Sequence, residues 1–122
     1  MLLAIDVGNT NTTLGLFSED VLKHCWRVST NREKTSDELG MMFLSLFQLS
    51  GEEIRFVDDV IICSVVPPVT HTFVNAVKKY FGKEPIQVGP GVKTGINVKY
   101  ENPREVGADK IVNAVGALKL YG

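Results

Sequence analysis

Asp6 ends the apolar run at the start of the chain, and a string of short polar residues, Asn9 to Thr12, follows it. A carboxylate at the end of a buried strand is costly unless a cation or a hydrogen-bond donor meets it. Gly8 permits positive φ and the close approach of a ligand. The main-chain N–H groups of residues 8–12 can form a nest for phosphate oxygens, and Asp6 can hold Mg²⁺ directly or through water. A plain turn is an equal alternative, because Asp, Gly and Asn are common turn residues.

A second carboxylate with chemistry available to it is Asp109, early in a predicted helix that Asn102 caps. Its small neighbours Gly107 and Ala108 leave room for a ligand to reach the backbone. A carboxylate placed there, within reach of a hydroxyl, can accept its proton. Taken alone, an exposed Asp that the helix dipole favours near the N-terminus is the better interpretation.

Other polar features carry weaker signals. The loop Gly89–Gly95 is similar to a P-loop but has Val92 where glycine must precede Lys-Thr, so we interpret it as a connection near the site. Ser64 ends a central strand, where α/β ligand sites gather, and either lines the pocket or only shapes a turn. His24 and His71 are isolated and do not have the spacing of metal ligands.

The elements that must position these residues follow the order β-β-β-α-β-α-β-β-α. A capping box at Thr35 and Glu38 starts the first helix, Gly82 ends the second, and Pro103 begins the third. Three antiparallel strands leading into α/β units predict an α/β fold with a ribonuclease H-like mixed sheet and helices on both faces. The predicted strands are residues 2–7, 12–17, 21–29, 60–66, 85–88 and 96–100.

Composition excludes several classes of protein. The chain has 122 residues, which predicts one domain, and its net charge of −1 indicates neither a nucleic-acid surface nor a basic membrane patch. No apolar run approaches the ~20 residues of a transmembrane helix. Cys25 and Cys63 fall in apolar strand-like runs without C-x-x-C spacing, so we expect both to be reduced and buried, as is typical of a cytosolic protein.

Taken together, three motifs resemble those of the type III pantothenate kinases, which belong to the acetate and sugar kinase, Hsp70 and actin superfamily. The motifs are Asp6-Val7-Gly8-Asn9-Thr10, Ser64-Val65-Val66-Pro67, and Asn102-Pro103 through Gly107-Ala108-Asp109. Each is weak alone. Their order and separation resemble the family over essentially the whole chain, and jointly they are specific.

The resemblance implies that ATP phosphorylates the primary hydroxyl of pantothenate to 4'-phosphopantothenate, the first step of coenzyme A biosynthesis. It implies Mg²⁺ near Asp6, a monovalent cation (K⁺ or NH₄⁺), a cytoplasmic homodimer, and Asp109 as the general base. The implied ATP and phosphate site is Asp6, Val7, Gly8, Asn9, Thr10, Asn11 and Thr12. The implied pantothenate site is Tyr100, Gly107, Ala108, Asp109 and Lys110.

The chain departs from the family pattern in two ways. Lys110 stands where the family usually has Arg, which keeps the charge but loses the bidentate fork. Family members are also about twice this long, as a two-domain architecture requires. We therefore expect residues 1–122 to be the N-terminal domain of such a kinase, without the second domain and with little or no activity alone.

Two other functions stay open at this stage. One is a superfamily kinase that phosphorylates a different hydroxyl acceptor, which the Lys110 departure favours. The other is a non-catalytic accessory transcriptional regulator, although the near-neutral charge and the absence of a DNA-reading motif argue against direct DNA binding.

Overall fold

A computed structural model of the chain describes residues 1–19 and 21–88. These residues form five strands, two α-helices and one turn of 3₁₀ helix at Ile54–Phe56. The predicted loop at Gly89–Gly95, the strand at 96–100 and the helix after Asn102 lie outside the described residues. The strands are β1 (Leu2–Val7), β2 (Asn11–Ser18), β3 (Val21–Ser29), β4 (Asp59–Ser64) and β5 (Ile86–Val88), and the helices are α1 (Ser36–Leu49) and α2 (Pro67–Phe81).

The five strands form one mixed sheet in the order β3-β2-β1-β4-β5. β1, β2 and β3 pair antiparallel as a meander, and β4 and β5 continue the sheet parallel to β1. The β2–β3 register shifts once, between Leu16 and Phe17, and is continuous from there to the pair Asn11 and Ser29. The predicted mixed α/β sheet is therefore confirmed.

Side chains alternate across the sheet because successive residues of a strand point to opposite faces. Leu3, Ile5 and Val7 of β1 join the main core with the buried faces of α1 and α2. Ala4 and Ile61 point to the other face and form a smaller buried cluster. Both described helices thus pack on one face, and the prediction of a helix on the opposite face rests on residues outside the described part.

The helix ends follow local signals. Thr35 caps α1 as predicted, because its hydroxyl accepts from the Glu38 N–H (3.2 Å) while the Glu38 carboxylate accepts from the Thr35 N–H (3.0 Å). α2 ends at Gly82, whose φ of 64° lies in the left-handed region that glycine tolerates best. At its other end, α2 begins at Pro67, six residues before the apolar stripe that starts at Phe73.

The expectation that Cys25 is buried is wrong. β3 has one neighbour in the described sheet, and its alternation places Trp26 and Val28 against the main core. Cys25 therefore points to the other face of the strand, where it is exposed, whereas Cys63 on the inner strand β4 is half-buried. Both thiols are free. Neither helix of the described residues has the length and apolar character needed to cross a bilayer.

Candidate functional site

The candidate site lies at the edge of the sheet where the parallel strands end. β1 and β4 run in the same direction, so Asp6 lies beside Cys63 and Val7 beside Ser64. On the far side of β4, Cys63 also pairs with Val88 at the end of β5. Ligands of open α/β sheets bind outside these carboxyl ends. The half-buried Asp6 carboxylate is therefore at the edge where ligand chemistry is expected.

The turn that joins β1 to β2 is closed by a hydrogen bond from the Gly8 N–H to the Asn11 carbonyl oxygen (3.0 Å). A Cβ at Gly8 would lie 2.9 Å from that same oxygen, and Gly8 does not adopt the left-handed region. Two expectations change here. Glycine is needed for the close approach of the turn to itself rather than for a positive φ, and its N–H is used within the turn rather than offered to a ligand.

The tip of the turn keeps donors available to an anion. Asn9 and Thr10 are exposed, and within residues 1–19 and 21–88 their N–H groups donate to no backbone carbonyl. The Asn11 side chain is exposed beside them. Backbone N–H groups gathered in a turn form concave anion sites without a helix terminus. Of the predicted phosphate-binding residues, the structure brings Asp6 to Thr12 together at this turn.

Thr12 has different surroundings from the tip residues. It is fully buried, and its hydroxyl lies 2.8 Å from the hydroxyl of Thr30, the residue after β3. Thr30 also donates from its hydroxyl to the Gly8 carbonyl oxygen (2.8 Å) and from its N–H to the Thr10 carbonyl oxygen (2.8 Å). Sequence reasoning missed Thr30. The only available signal was a polar residue at the end of a strand that must return to the same edge.

Asp6 fits the way in which Mg²⁺ binds to nucleotide enzymes. Mg²⁺ takes one or two carboxylates, keeps several waters and completes its shell with substrate phosphates. One carboxylate beside a turn with exposed N–H donors is compatible with such a donor set, and within the described residues no three His, Cys, Asp or Glu side chains form a cluster of metal ligands. His24 instead bonds Glu52 (3.1 Å) and stacks on Trp26 (5.5 Å between ring centroids).

Ser64 shapes a turn, as one of the two sequence interpretations holds, and it also lines a cleft. Its hydroxyl accepts a hydrogen bond from the Val66 N–H (3.0 Å), which shapes the turn between β4 and α2. Ser64 also lines a cleft of about 430 Å³, together with His71 from α2 and Gln87 from β5. The predicted pantothenate-site residues Tyr100, Gly107, Ala108, Asp109 and Lys110 lie outside the described residues.

Comparison with known proteins gives concordant results. A family model described as Type III pantothenate kinase matches residues 2–122. A relative from Halalkalibacterium halodurans with that name is 52% identical over 122 residues, which is 100% of this chain and 48% of the relative. One from Geobacillus kaustophilus is 52% identical over 122 residues, covering 100% of this chain and 47% of the relative. The chain thus spans about half the length of these curated relatives.

Among solved structures, a putative N-acetylglucosamine kinase from Porphyromonas gingivalis is similar, with a TM-score of 0.54 over 73% of this chain and 34% of that protein. At 17% sequence identity, this likeness shows the fold alone.

Proposed function

Because this chain belongs to the type III pantothenate kinase family, we propose that it forms the N-terminal half of an enzyme that transfers a phosphoryl group from ATP to the primary hydroxyl of pantothenate. That transfer opens coenzyme A biosynthesis. The structural observation that supports the proposal is the exposed turn after Asp6, which offers N–H donors at the carboxyl edge of the sheet. The complete enzyme would be a cytoplasmic homodimer that uses a monovalent cation, K⁺ or NH₄⁺.

On the nucleotide side, the turn would bind the phosphates of ATP. The N–H groups of Asn9 and Thr10 would donate to phosphate oxygens, and the Asn9, Thr10 and Asn11 side chains would add donors around them. Asp6 would bind Mg²⁺ directly or through a water molecule. When bound, Mg²⁺ neutralises charge that develops on the transferred phosphoryl group. Gly8 would keep the turn compact, and the buried Thr12 would support it from below.

On the acceptor side, the proposal assigns roles to residues outside the described part of the chain. Asp109 would accept the proton of the pantothenate hydroxyl as it attacks, which is the usual task of a carboxylate base. Tyr100, Gly107 and Ala108 would line the pantothenate pocket. Lys110 would meet the polar end of the substrate as a point charge rather than as the planar fork of Arg.

The length of the relatives limits what this chain does alone. It covers 48% of the Halalkalibacterium relative, so a site built from two halves would be incomplete in a 122-residue polypeptide. We therefore expect the isolated chain to have little or no turnover. Formation of 4'-phosphopantothenate by the purified 122-residue chain at an ordinary enzyme rate, about 1 s⁻¹ or more, would contradict this expectation.

The test uses the complete gene product with ATP, Mg²⁺ and pantothenate, and follows 4'-phosphopantothenate by mass spectrometry. We expect Asp109→Asn to lower kcat by about 10²- to 10⁴-fold, since a general base contributes that much. Asp59→Asn is the matched control, because Asp59 is an exposed aspartate at the amino end of β4, on the opposite edge of the sheet. Wild-type turnover by Asp109→Asn would remove Asp109 from this role. No product from the wild type would overturn the function itself.

Lys110 makes a different hydroxyl acceptor the second candidate function. A panel of small hydroxy acids and amides, each offered with ATP, separates the two. Pantothenate should have the highest kcat/KM of the panel, and a higher value for another acceptor would favour the alternative.

A further inference from the structure

One residue outside the predicted site, Thr30, contacts the turn of residues 8–12 at three positions. Its hydroxyl lies 2.8 Å from the Gly8 carbonyl oxygen and 2.8 Å from the Thr12 hydroxyl. Its N–H donates to the Thr10 carbonyl oxygen at 2.8 Å. Thr30 is half-buried and Thr12 is fully buried, so these hydrogen bonds are partly shielded from water. No other residue of the described chain makes a side-chain hydrogen bond to the Gly8 carbonyl.

The direction of the hydroxyl hydrogen bonds follows from the number of protons. A threonine hydroxyl has one proton to donate and can also accept. Thr30 gives its proton to the Gly8 carbonyl, which has none, so the Thr12 hydroxyl must donate to Thr30. The Thr12 hydroxyl therefore donates to the Thr30 hydroxyl, which in turn donates to the Gly8 carbonyl oxygen. Both hydroxyl protons are used, and removal of the Thr30 hydroxyl leaves both neighbours without this partner.

Because the peptide bond is planar, this hydrogen bond also fixes the orientation of the N–H group on the ligand side of the turn. The Gly8 carbonyl and the Asn9 N–H belong to one trans peptide unit and point in opposite directions. Because Thr30 holds the Gly8 carbonyl towards β3, the Asn9 N–H must point away from β3. The hydrogen bond from the Thr30 N–H fixes the peptide unit between Thr10 and Asn11 in the same way.

We propose that Thr30 is a positioning residue for nucleotide binding, which sets the orientation of the turn amides that meet the phosphates of ATP. The proposal rests on the proposed function for the identity of the ligand. Thr30 does not itself touch the nucleotide. Its hydroxyl orients the Gly8–Asn9 peptide before the ligand arrives, so that the amide does not have to be reordered on binding.

Four side chains at position 30 isolate the hydroxyl. Thr and Val have nearly the same shape but differ in the hydroxyl group. Ser and Ala also differ in the hydroxyl group, and both lack the γ-methyl group of Thr. In the complete gene product we expect Thr30→Val and Thr30→Ala to raise the Kd for MgATP roughly tenfold, equivalent to about 1.4 kcal/mol. Thr30→Ser should stay within about twofold of the wild type, since it keeps the donor and acceptor. The KM for pantothenate should not change in any variant.

A matched control separates positioning from general loss of stability. Tyr80→Phe removes a hydroxyl hydrogen bond of the same length, 2.8 Å, between Tyr80 on α2 and Asp37 on α1. It should leave the Kd for MgATP unchanged. A direct probe is amide hydrogen exchange without nucleotide. The Gly8 N–H, bonded to the Asn11 carbonyl, should lose protection in Thr30→Val and Thr30→Ala but not in Thr30→Ser.

The outcomes distinguish this proposal from the function on which it rests. Wild-type MgATP affinity in both Thr30→Val and Thr30→Ala overturns the role of Thr30, whatever the acceptor is. If Thr30→Val does not fold, the comparison of Thr30→Ser with Thr30→Ala decides whether the hydroxyl sets the Kd for MgATP. A wild type that binds MgATP but does not phosphorylate pantothenate overturns the proposed function and leaves Thr30 to be judged on its Kd values. A wild type that does not bind MgATP overturns both.

Discussion

The ring of Tyr80 lies directly against Gly40, in the space that a side chain at position 40 would occupy. The phenol hydroxyl donates to the Asp37 carboxylate (2.8 Å), which also accepts a hydrogen bond from the ammonium group of Lys79 (2.6 Å). Gly40 therefore lets α2 approach α1 closely, and the polar group above the contact holds the ring there.

The first prediction concerns that contact. Alanine has a helix propensity about 1 kcal/mol better than glycine, so Gly40→Ala should stabilise an isolated helix. Here the new Cβ meets the Tyr80 ring, which must leave its position and its hydrogen bond to Asp37. We expect a net loss of about 1–3 kcal/mol in the free energy of unfolding, as for other overpacked cores. Urea denaturation measures it.

The same substitution in a Tyr80→Ala background is the control. Without the ring, only the helix propensity remains, so Gly40→Ala should now stabilise the protein by about 0.5–1 kcal/mol. The change of sign is the diagnostic result. A loss in both backgrounds would mean that Tyr80 is not the obstacle.

The second prediction concerns pH. Hydrogen bonds from Lys79 and Tyr80, with the positive charge of Lys79, hold the pKa of the exposed Asp37 carboxyl below its usual 3.8. A pKa lower in the folded than in the unfolded state means that the carboxylate stabilises the fold above about pH 4. This contribution is lost as the pH falls through the folded-state pKa. Asp37→Asn should therefore be less stable than wild type near neutral pH, with a gap that closes in acid.

Chemical denaturation of both proteins between about pH 6 and pH 2 tests this linkage. Added salt should narrow the gap near neutral pH, since exposed ion pairs are screened. A gap of constant size across the range would show that titration of Asp37 does not contribute.

The third prediction compares two glycines that are required for different reasons. Gly8 has ordinary φ but no room, because a Cβ would lie 2.9 Å from the Asn11 carbonyl oxygen. Gly51 has room but a φ of 73°, which asparagine tolerates better than alanine. Gly51→Ala should lower the free energy of unfolding by roughly 1 kcal/mol, and Gly51→Asn should lower it by less. At position 8, both substitutions should destabilise alike. Melting temperatures of the four variants decide, and recovery by Gly8→Asn would refute the steric explanation.

The fourth prediction concerns the thiols. Cys25 is exposed on β3 and Cys63 is half-buried on β4, so a thiol reagent should modify Cys25 first. Partial burial raises the pKa of the Cys25 thiol above its usual 9.0, although the positive charge of Arg27 acts to lower it. The rate should therefore still be rising above about pH 9, because the thiolate is the reactive form. Peptide mapping after brief alkylation identifies the site, and faster labelling of Cys63 would contradict the assignment.

Local signals were enough to predict much of the fold. The predicted ranges of β1 and β3 coincide with the observed strands, and the capping box at Thr35 starts α1 where expected. These features depend on neighbours in sequence: an apolar run, an alternation, or a side chain that bonds three residues ahead. The start of α2 was missed because its first six residues have two prolines and several polar residues, with Val69 as their one apolar side chain apart from proline, although Pro67 is well suited to that position.

The features that could not be predicted from the sequence depend on which strands become neighbours in the sheet. The exposure of Cys25 follows from the place of β3 in the sheet order, which its own residues do not encode. The role of Thr30 depends on the register between β2 and β3, which brings it to Thr10. The polar turn after Asp6 was predicted from its residue types, with a plain turn as an equal alternative, but the orientation of its peptides depends on Thr30, which follows another strand.

The dependence of the turn on Thr30 also predicts the order in which contacts form during folding. Thr30 and Gly8 are 22 positions apart, so their hydrogen bond closes only after β3 has joined the sheet in register. Contacts of this sequence separation form later than local ones because the chain between them must first be ordered. If Thr30 sets the affinity for nucleotide, a nascent chain in which only β1 and β2 have paired has the polar sequence but not the oriented amides. Such a chain would bind ATP more weakly until its three-stranded meander is complete.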